Sequence, residues 1–282
     1  MKQNALYQAI ADKVLNMMEK LGTDWLRPFS DSVKQSGGCY NVVTKKAYRG
    51  INQLLLGWAG YSSPAWASYD QWKAKGMPVR KDEKGSMIVY FKLIEIKELD
   101  ATGKPKKIPM LKHYTIFNAE QCENYVAEPV EIVEEIDSTE RCTQADVFFQ
   151  KTGAKVRYIL QDRAYYSPID DEVCLPKLKG FINAERYYST LGHEIVHWTG
   201  HSSRLNRLKM TGFGSPEYAQ EELIAELGAA FLCAQLGINN EPRADHATYL
   251  NSWMKALRND KKCFVKACSQ ATKSLDFLNG LQ

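Results

Sequence analysis

Three features that often identify a class of protein are missing from this sequence. It contains no uninterrupted stretch of about 18 or more apolar residues, which a membrane-spanning helix requires. Its N-terminal segment includes Asp12 and Glu19 and lacks an unbroken apolar stretch, so it indicates an amphipathic helix rather than a targeting signal. The seven cysteines form no C-x-x-C pair, and an odd, scattered set favours reduced thiols over disulfides or a zinc finger. We therefore expect a cytoplasmic protein with no membrane partner.

Charge is divided unequally along the 282 residues. Residues 1–128 carry 19 Lys and Arg against 13 Asp and Glu, a net charge of +6, whereas residues 129–282 carry 18 against 20, a net charge of −2. This asymmetry indicates that the first half meets a polyanion and that the second half does not. A net basic charge also argues against a protein that imitates DNA with an acidic surface.

The length of the chain and its charge pattern predict two domains. A chain of 282 residues is long for one small domain, and the acidic stretch EPVEIVEEID at 128–137 interrupts the regular patterns. We place an N-terminal domain at residues 1–128, a linker at 129–137 and a C-terminal domain at 138–282.

The periodicity of the apolar residues predicts an α+β fold in both domains. In the first half the expected elements are helices at 6–21, 50–58 and 69–75 and strands at 86–99 and 113–118. Ser68 is expected to cap the third helix, and residues 100–107 are expected to form a hairpin loop. In the second half the expected elements are a helix ending at Lys151, strands at 154–160 and 164–174, helices at 183–199 and 216–236, and a C-terminal helical run. A turn at 169–171 within the second strand is the alternative to a continuous strand there.

The segment Gly192-His193-Glu194-Ile195-Val196-His197 places two histidines four residues apart in a predicted helix. Side chains at positions i and i+4 lie on one helix face, so both imidazoles can reach one ion. Glu194 can take a proton from metal-bound water, whose pKa a zinc ion lowers to about 7. The pattern therefore predicts a zinc-dependent metallopeptidase with Glu194 as its catalytic base. Two unrelated surface histidines are the alternative.

A catalytic zinc site needs a third protein ligand and one open position. His201 does not fit this role, because a continued helix would place it about 12 Å from His193 and Gly200 interrupts the helix. The third ligand is therefore expected from the second long helix.

Three glutamates of that helix, Glu221, Glu222 and Glu226, compete for the role. Small and apolar residues surround Glu226, and a carboxylate there would be costly to bury unless a cation paired with it. We therefore favour Glu226 as the ligand. Glu222, one turn earlier, is the alternative ligand and would otherwise orient a histidine. Solvated surface acids remain the simplest alternative for both.

Segments in both halves carry a family resemblance. HEIVHWTGH at 193–201, SRLNR at 203–207 and EELIAELGAAFL at 221–232 resemble the metallopeptidase domain of ArdC-type antirestriction proteins, zincins of plasmids and phages. In the first half, four segments resemble the N-terminal domain of that family: NVVTKKAYRGIN at 41–52, YSSPAW at 61–66, VRKDEKG at 79–85 and IFNAEQ at 116–121. That domain also occurs in TraC-type plasmid primases and is associated with single-stranded DNA.

Aromatic and basic residues interleave in the first half, as non-specific binding of single-stranded DNA requires. The candidate nucleic-acid contacts are Tyr40, Lys45, Lys46, Tyr48, Arg49, Asn52, Trp66, Lys73, Arg80, Lys81 and Lys84. Core packing is the alternative for each aromatic ring, and a solvated surface is the alternative for the lysines.

The resemblance implies an antirestriction protein that binds single-stranded DNA, carries a Zn²⁺ peptidase site and protects incoming plasmid DNA from host restriction during conjugation. A protein substrate is a second implied partner. Two other functions stay open: a DNA-coating protein whose zinc is only structural, and a peptidase whose basic domain recognises a protein.

Overall fold

The computed structural model describes residues 3–26, 33, 36–99, 103, 105–127, 138–160, 163–177, 180–209, 215–240 and 246–282. The expected linker at 129–137 lies outside this set. The helices are α1 (Gln3–Leu21), α2 (Ile51–Gly57), α3 (Tyr69–Ala74), α4 (Ser138–Lys151), α5 (Ala184–Thr199), α6 (Pro216–Leu236), α7 (His246–Asn259) and α8 (Cys263–Asn279). Short 3-10 helices cover Gly22–Leu26 and Ala119–Gln121.

Seven strands form two sheets among the described residues. The strands are β1 (Tyr40–Asn41), β2 (Ala65–Ala67), β3 (Ser86–Leu99), β4 (Pro105–Asn118), β5 (Lys155–Ile159), β6 (Tyr165–Ser167) and β7 (Glu172–Pro176). The first sheet has the order β1-β2-β4-β3, and the second has the order β5-β7-β6. Since helices and mixed sheets occur in both halves, the predicted α+β class is confirmed.

Local sequence signals determine several of the helix ends. The Oγ of Ser68 accepts a hydrogen bond from the backbone N–H of Gln71, and the Gln71 side chain accepts one from the backbone N–H of Ser68. This capping box confirms the predicted start of α3. At Asn183 the side chain caps α5 in a similar way, by accepting from the backbone N–H of Arg186 at 2.7 Å.

The β3–β4 hairpin is longer than the sequence predicts. Strand β4 begins at Pro105 rather than at His113, and Leu99 pairs with Pro105. A proline is tolerated at the first residue of a strand, where its missing N–H breaks no internal ladder bond. The expected hairpin loop at residues 100–107 is therefore wrong in its second half.

One hydrophobic core joins side chains from both ends of the chain. Trp25 is buried, and the centre of its ring lies 6.2 Å from that of Trp253 on α7 and 5.8 Å from that of Phe264 on α8. Leu6 and Ile10 of α1 belong to the same buried cluster. The N-terminal helix thus packs against helices that the sequence assigns to the other domain, so experiments on this protein are best done with the full chain.

Two long helices, α5 and α6, pack closely in the second half. An added Cβ at Gly228 on α6 would lie 2.6 Å from a methyl carbon of Val196 on α5. Glycine is therefore required at this crossing, because any larger side chain would force the helices apart. Among the described helices, none is both long enough and apolar enough to cross a membrane.

Candidate metal centre

Helix α5 brings His193, Glu194 and His197 together in a buried position. Their exposed fractions are 1%, 2% and 9%. The Nε2 atoms of the two histidines lie 3.1 Å apart. Both imidazoles therefore direct the same nitrogen at one point, as the spacing of four residues predicts.

Helix α6 supplies two buried carboxylates to this pair of histidines. Oxygens of Glu222 lie 3.5 Å from Nε2 of His193 and 3.4 Å from Nε2 of His197. Glu226 instead lies 3.3 Å from Nδ1 of His193. Because the two Nε2 atoms face each other, the distances favour Glu222, and not the expected Glu226, as the carboxylate that completes a ligand set.

The three side chains lie close enough together to share one metal ion. The two Nε2 atoms are 3.1 Å apart, and the Glu222 carboxylate places one oxygen beside each imidazole, Oε2 at 3.5 Å from His193 and Oε1 at 3.4 Å from His197. With one donor atom taken from each residue, the three donors lie within 4.8 Å of one another. His193, His197 and Glu222 also form a group of buried donors that could hold one ion. Two imidazoles and a carboxylate leave one coordination position open, as in hydrolytic zinc sites.

A carboxylate faces the other nitrogen of each histidine. Glu221 lies 3.1 Å from Nδ1 of His197, and Arg207 holds Glu221 with two hydrogen bonds of 2.8 Å. A hydrogen-bonded partner of this kind fixes the ring orientation and the tautomer of a metal-binding histidine. Glu226 lies 3.3 Å from Nδ1 of His193, within ion-pair distance but without a hydrogen bond to that nitrogen.

Arg207 is a site residue that the sequence reasoning did not identify. Its guanidinium is buried and also donates to the backbone oxygen of Val196 and to the hydroxyl of Ser274 on α8, both at 2.8 Å. The arginine in the SRLNR segment is the sequence signal for this role. An arginine buried beside the metal-binding helix needs a buried carboxylate as its partner.

The histidines and glutamates of the centre shift one another's pKa values. Burial disfavours the charged form of His197, but Glu221 and Glu222 outweigh this effect and raise its pKa to about 10. Burial likewise opposes ionisation of Glu222, and contacts with His193 and His197 reverse the effect and lower its pKa. A metal ion binds neutral imidazole, so its uptake must displace a proton from the centre.

A cleft of about 830 Å³ opens onto the centre and has Glu194 in its lining. Strand β6 is an edge strand of the second sheet, and its residues Tyr165 and Tyr166 line the same cleft. An edge strand can pair with an extended peptide through backbone hydrogen bonds. The cleft thus combines the buried donors with a surface suited to a peptide.

An ion pair between Arg204 and Asp171 supports this strand. The guanidinium of Arg204 donates to both carboxylate oxygens of Asp171 and stacks on Trp198, 3.9 Å from the ring centre. The hydrogen bond from Arg204 is the main reason that the pKa of Asp171 falls to about 2. The hydroxyl of Tyr166 also donates to Asp171, at 2.7 Å. Arg204 therefore fixes the turn that follows β6.

The nucleic-acid residues expected in the first half divide into two groups. The exposed lysines are Lys45, Lys46, Lys73, Lys81 and Lys84, and the half-buried rings are Tyr40 and Tyr48. Lys45 places its Nζ 5.8 Å from the centre of the Tyr40 ring. These residues are placed where they can meet a ligand.

Four other expected contacts are occupied by the protein itself. Trp66 is 1% exposed within a hydrophobic cluster, so the expectation that its ring stacks on a base is wrong. Asn52 exchanges two hydrogen bonds of 2.8 Å with the backbone of Val89. Arg80 donates to the backbone oxygens of Glu120 and Cys122, and Arg49 forms an ion pair with Asp276 on α8. Asn52 and Arg80 therefore chiefly connect elements of the fold, whereas Arg49 and its partner Asp276 are both exposed.

Comparisons with known proteins match one family model to each half of the chain. Residues 4–117 match the family model described as the N-terminal domain of anti-restriction factor ArdC. Residues 143–270 match the family model described as a zincin-like metallopeptidase.

Two relatives match nearly all of this chain. The chain is 33% identical over 288 residues to the uncharacterized protein y4eC of Sinorhizobium fredii, covering 98% of this chain and 92% of that protein. It is 35% identical to a DNA primase TraC of Escherichia coli, covering 96% of this chain but only 27% of the primase. The chain therefore spans about a quarter of the length of this primase.

Two crystal structures share the fold. They are the antirestriction protein ArdC from plasmid R388, metal-free in one structure and with Mn(II) bound in the other. The identities are 38% and 37%, and the TM-score is 0.77 in both cases. Each comparison covers 98% of this chain and 97% of the other.

Proposed function

Because the chain belongs to the ArdC family of antirestriction proteins, we propose that it binds single-stranded DNA, carries a zinc peptidase site and protects incoming plasmid DNA from restriction. The observation that supports the peptidase site most directly is the buried cluster of His193, His197 and Glu222, whose donor atoms lie within 4.8 Å of one another. Two imidazoles and one carboxylate beside an open cleft are the kind of donor set that hydrolytic zinc sites use.

His193, His197 and Glu222 would hold the metal ion. A bound zinc ion polarises a carbonyl group and makes hydroxide available near neutral pH. Glu194 lies on the cleft side of the same helix turn and would accept and return the proton. Two imidazoles and one carboxylate suit zinc well, although the same donors accept other divalent ions.

Metal content tests the ligand set. Elemental analysis of the full chain purified with zinc should find one zinc ion per molecule. The variant Glu222→Gln should lose most of the metal, because it removes a ligand. Glu226→Gln is the matched control: it changes a glutamate of the same helix with similar burial and should weaken binding far less. Loss of zinc from Glu226→Gln with retention in Glu222→Gln would reverse the assignment.

Binding of single-stranded DNA is supported by the basic character of residues 1–128 and by the exposed lysines near Tyr40 and Tyr48. Fluorescence anisotropy of a labelled oligonucleotide with the full chain measures it. The affinity should fall steeply with salt and should depend little on sequence. A preference for duplex over single strands, or binding insensitive to salt, would contradict this part of the proposal.

Assays of the same protein also test the alternative function, a DNA-coating protein whose zinc is only structural. If zinc were only structural, the full chain would protect DNA and hold zinc but would hydrolyse no peptide or protein. The position of Glu194 in the lining of an open cleft favours the hydrolytic function, because a structural zinc needs neither a base nor access.

A further inference from the structure

A groove of about 1060 Å³ lies where the first half of the chain meets the last helix. One wall is formed by the start of α2 and by strand β3, and includes Arg49 and Tyr90. The other wall is formed by Lys262 and by α8, which contributes Lys266 and Lys273. The groove is therefore assembled from both halves of the chain.

Positive charge dominates this groove. Four cations, Arg49, Lys262, Lys266 and Lys273, line it together with one carboxylate, Asp276. Asp276 pairs with Arg49. With Asp260, which pairs with Lys266, four cations stand against two carboxylates, so positive charge still exceeds negative charge here, although the second half of the chain has a net charge of −2. Such a concentration of one sign in a concave surface attracts a polyanion.

The three lysines follow one side of the helix. Their spacings of four and seven residues correspond to about one and two helical turns, so they share a face. Lys262 places its Nζ 5.5 Å from the centre of the Tyr7 ring, and Lys266 places its Nζ 3.0 Å from an exposed carboxylate oxygen of Asp260. An exposed ion pair of this kind contributes little and yields readily to a phosphate.

A ring lies in the opposite wall. Tyr90 is 49% exposed and pairs across the ribbon with Lys112. On the same face of β4, two residues further along, Tyr114 is 50% exposed. Cations along one wall and a flat ring on the other are the two components that a single-strand binding groove requires.

We infer that single-stranded DNA passes through this groove, with its phosphates on Lys262, Lys266 and Lys273 and a base stacked on Tyr90. The inference rests on the proposed DNA binding. It extends the DNA surface to α8, which lies in the half of the chain whose net charge of −2 argues against contact with a polyanion. The ligand class follows from the combination of phosphate-binding cations with an exposed ring. A purely acidic peptide would use the lysines but would gain nothing from the ring.

Salt dependence of binding tests the inference in the full chain. The probe is a fluorescent oligothymidine, measured by anisotropy at several salt concentrations. In the triple variant Lys262→Ala, Lys266→Ala, Lys273→Ala, the slope of log affinity against log salt should decrease in magnitude by about 2, since each phosphate contact on a single strand contributes about 0.7. The matched control replaces three exposed lysines outside the groove, Lys151, Lys155 and Lys177, and should keep the slope.

Tyr90→Leu should weaken binding several-fold and leave the slope unchanged, because stacking releases no counterion. Thermal unfolding of each variant verifies that it is folded. An unchanged slope in the triple variant, or an equal decrease in the control, would overturn the groove while leaving the proposed DNA binding intact. Equal competition by poly-glutamate would overturn the assignment to DNA. A wild-type chain that binds no oligothymidine would overturn the proposed function itself.

Discussion

The metal centre and the basic groove are built in opposite ways. All donors of the metal centre come from α5 and α6, which are separated by one loop, and each of these donors is buried. The groove combines β3 with α8, elements far apart in the sequence, and its lysines lie on the surface. A local pattern of residue types can therefore predict the first site, whereas the second exists only after the chain has folded.

The two sites also differ in how substitutions affect them. A buried donor set depends on every member, because one missing partner leaves a charge or a polar atom desolvated. Exposed lysines act through screened charge, so each contributes a small and nearly additive amount. Substitutions in the metal centre are therefore expected to have large effects, and substitutions on the DNA surface small ones.

The largest effect is expected at Glu194. Glu194→Gln should lower hydrolysis of a fluorogenic peptide library or a denatured protein by about 10²–10⁴-fold, because general base catalysis is lost. Zinc content should stay at the wild-type level, since Glu194 does not belong to the metal-binding cluster of His193, His197 and Glu222. Glu217→Gln is the control, because Glu217 is an exposed glutamate of the same cleft. Loss of zinc from the Glu194 variant would contradict the assigned role.

The next largest effect is expected at Trp66, a ring that the sequence pattern places on the DNA surface and that the structure places in the core. Trp66→Ala should lower the free energy of unfolding by about 3–5 kcal/mol, because it empties a buried site. Tyr69→Ala is the control, since that ring is 48% exposed, and its effect should stay within about 0.5–1 kcal/mol. Denaturant titration measures both. Similar stabilities for the two variants would indicate that Trp66 is not a core residue.

The burial of Trp66 is an example of what the sequence alone does not predict. The bounds of α6, the capping box at Ser68 and the proximity of His193 to His197 follow from local periodicity and spacing, and the structure confirms them. Whether Trp66 or Tyr90 is buried depends on which face of a sheet is covered, and no local pattern contains that information.

Local sequence patterns also cannot decide which glutamate of α6 binds the metal. Glu222 and Glu226 lie one turn apart on one face, so both can approach the metal helix. Which of them reaches the Nε2 atoms depends on the angle and the offset at which α5 and α6 cross, and Gly228 helps to determine that offset. Burial of a carboxylate was a sound reason to expect a role for Glu226, but it did not identify the nitrogen that Glu226 faces.

A smaller effect in the metal centre is expected at Arg207. Arg207→Met removes the group that holds Glu221 against His197 and should weaken zinc binding by about 10–100-fold. Competition with a chromophoric chelator measures the affinity. Arg204→Met is the matched control, because Arg204 belongs to the same loop and is similarly buried but contacts Asp171 instead. If both variants bound zinc equally, the orienting role of Arg207 would be excluded.

The smallest effect is expected on the DNA surface at Lys45 and Lys46. Both lysines are exposed, so replacing them by alanine should leave the stability of the fold unchanged. Each lost phosphate contact should reduce the slope of log affinity against log salt by about 0.7. Anisotropy of a labelled oligonucleotide over a salt series measures the double variant beside a control that replaces Lys155 and Lys177.

Arg49 sharpens this last prediction, because it adjoins the same segment but is paired with Asp276. Arg49→Ala removes one cation and leaves a carboxylate in the groove, so it should weaken binding without the simple decrease in slope expected for Lys45 or Lys46. If single-stranded DNA instead avoids the groove and contacts only the Lys45–Lys46 turn, Arg49→Ala will leave both affinity and slope unchanged. That result would confine the DNA surface to the first half, as its charge alone suggests.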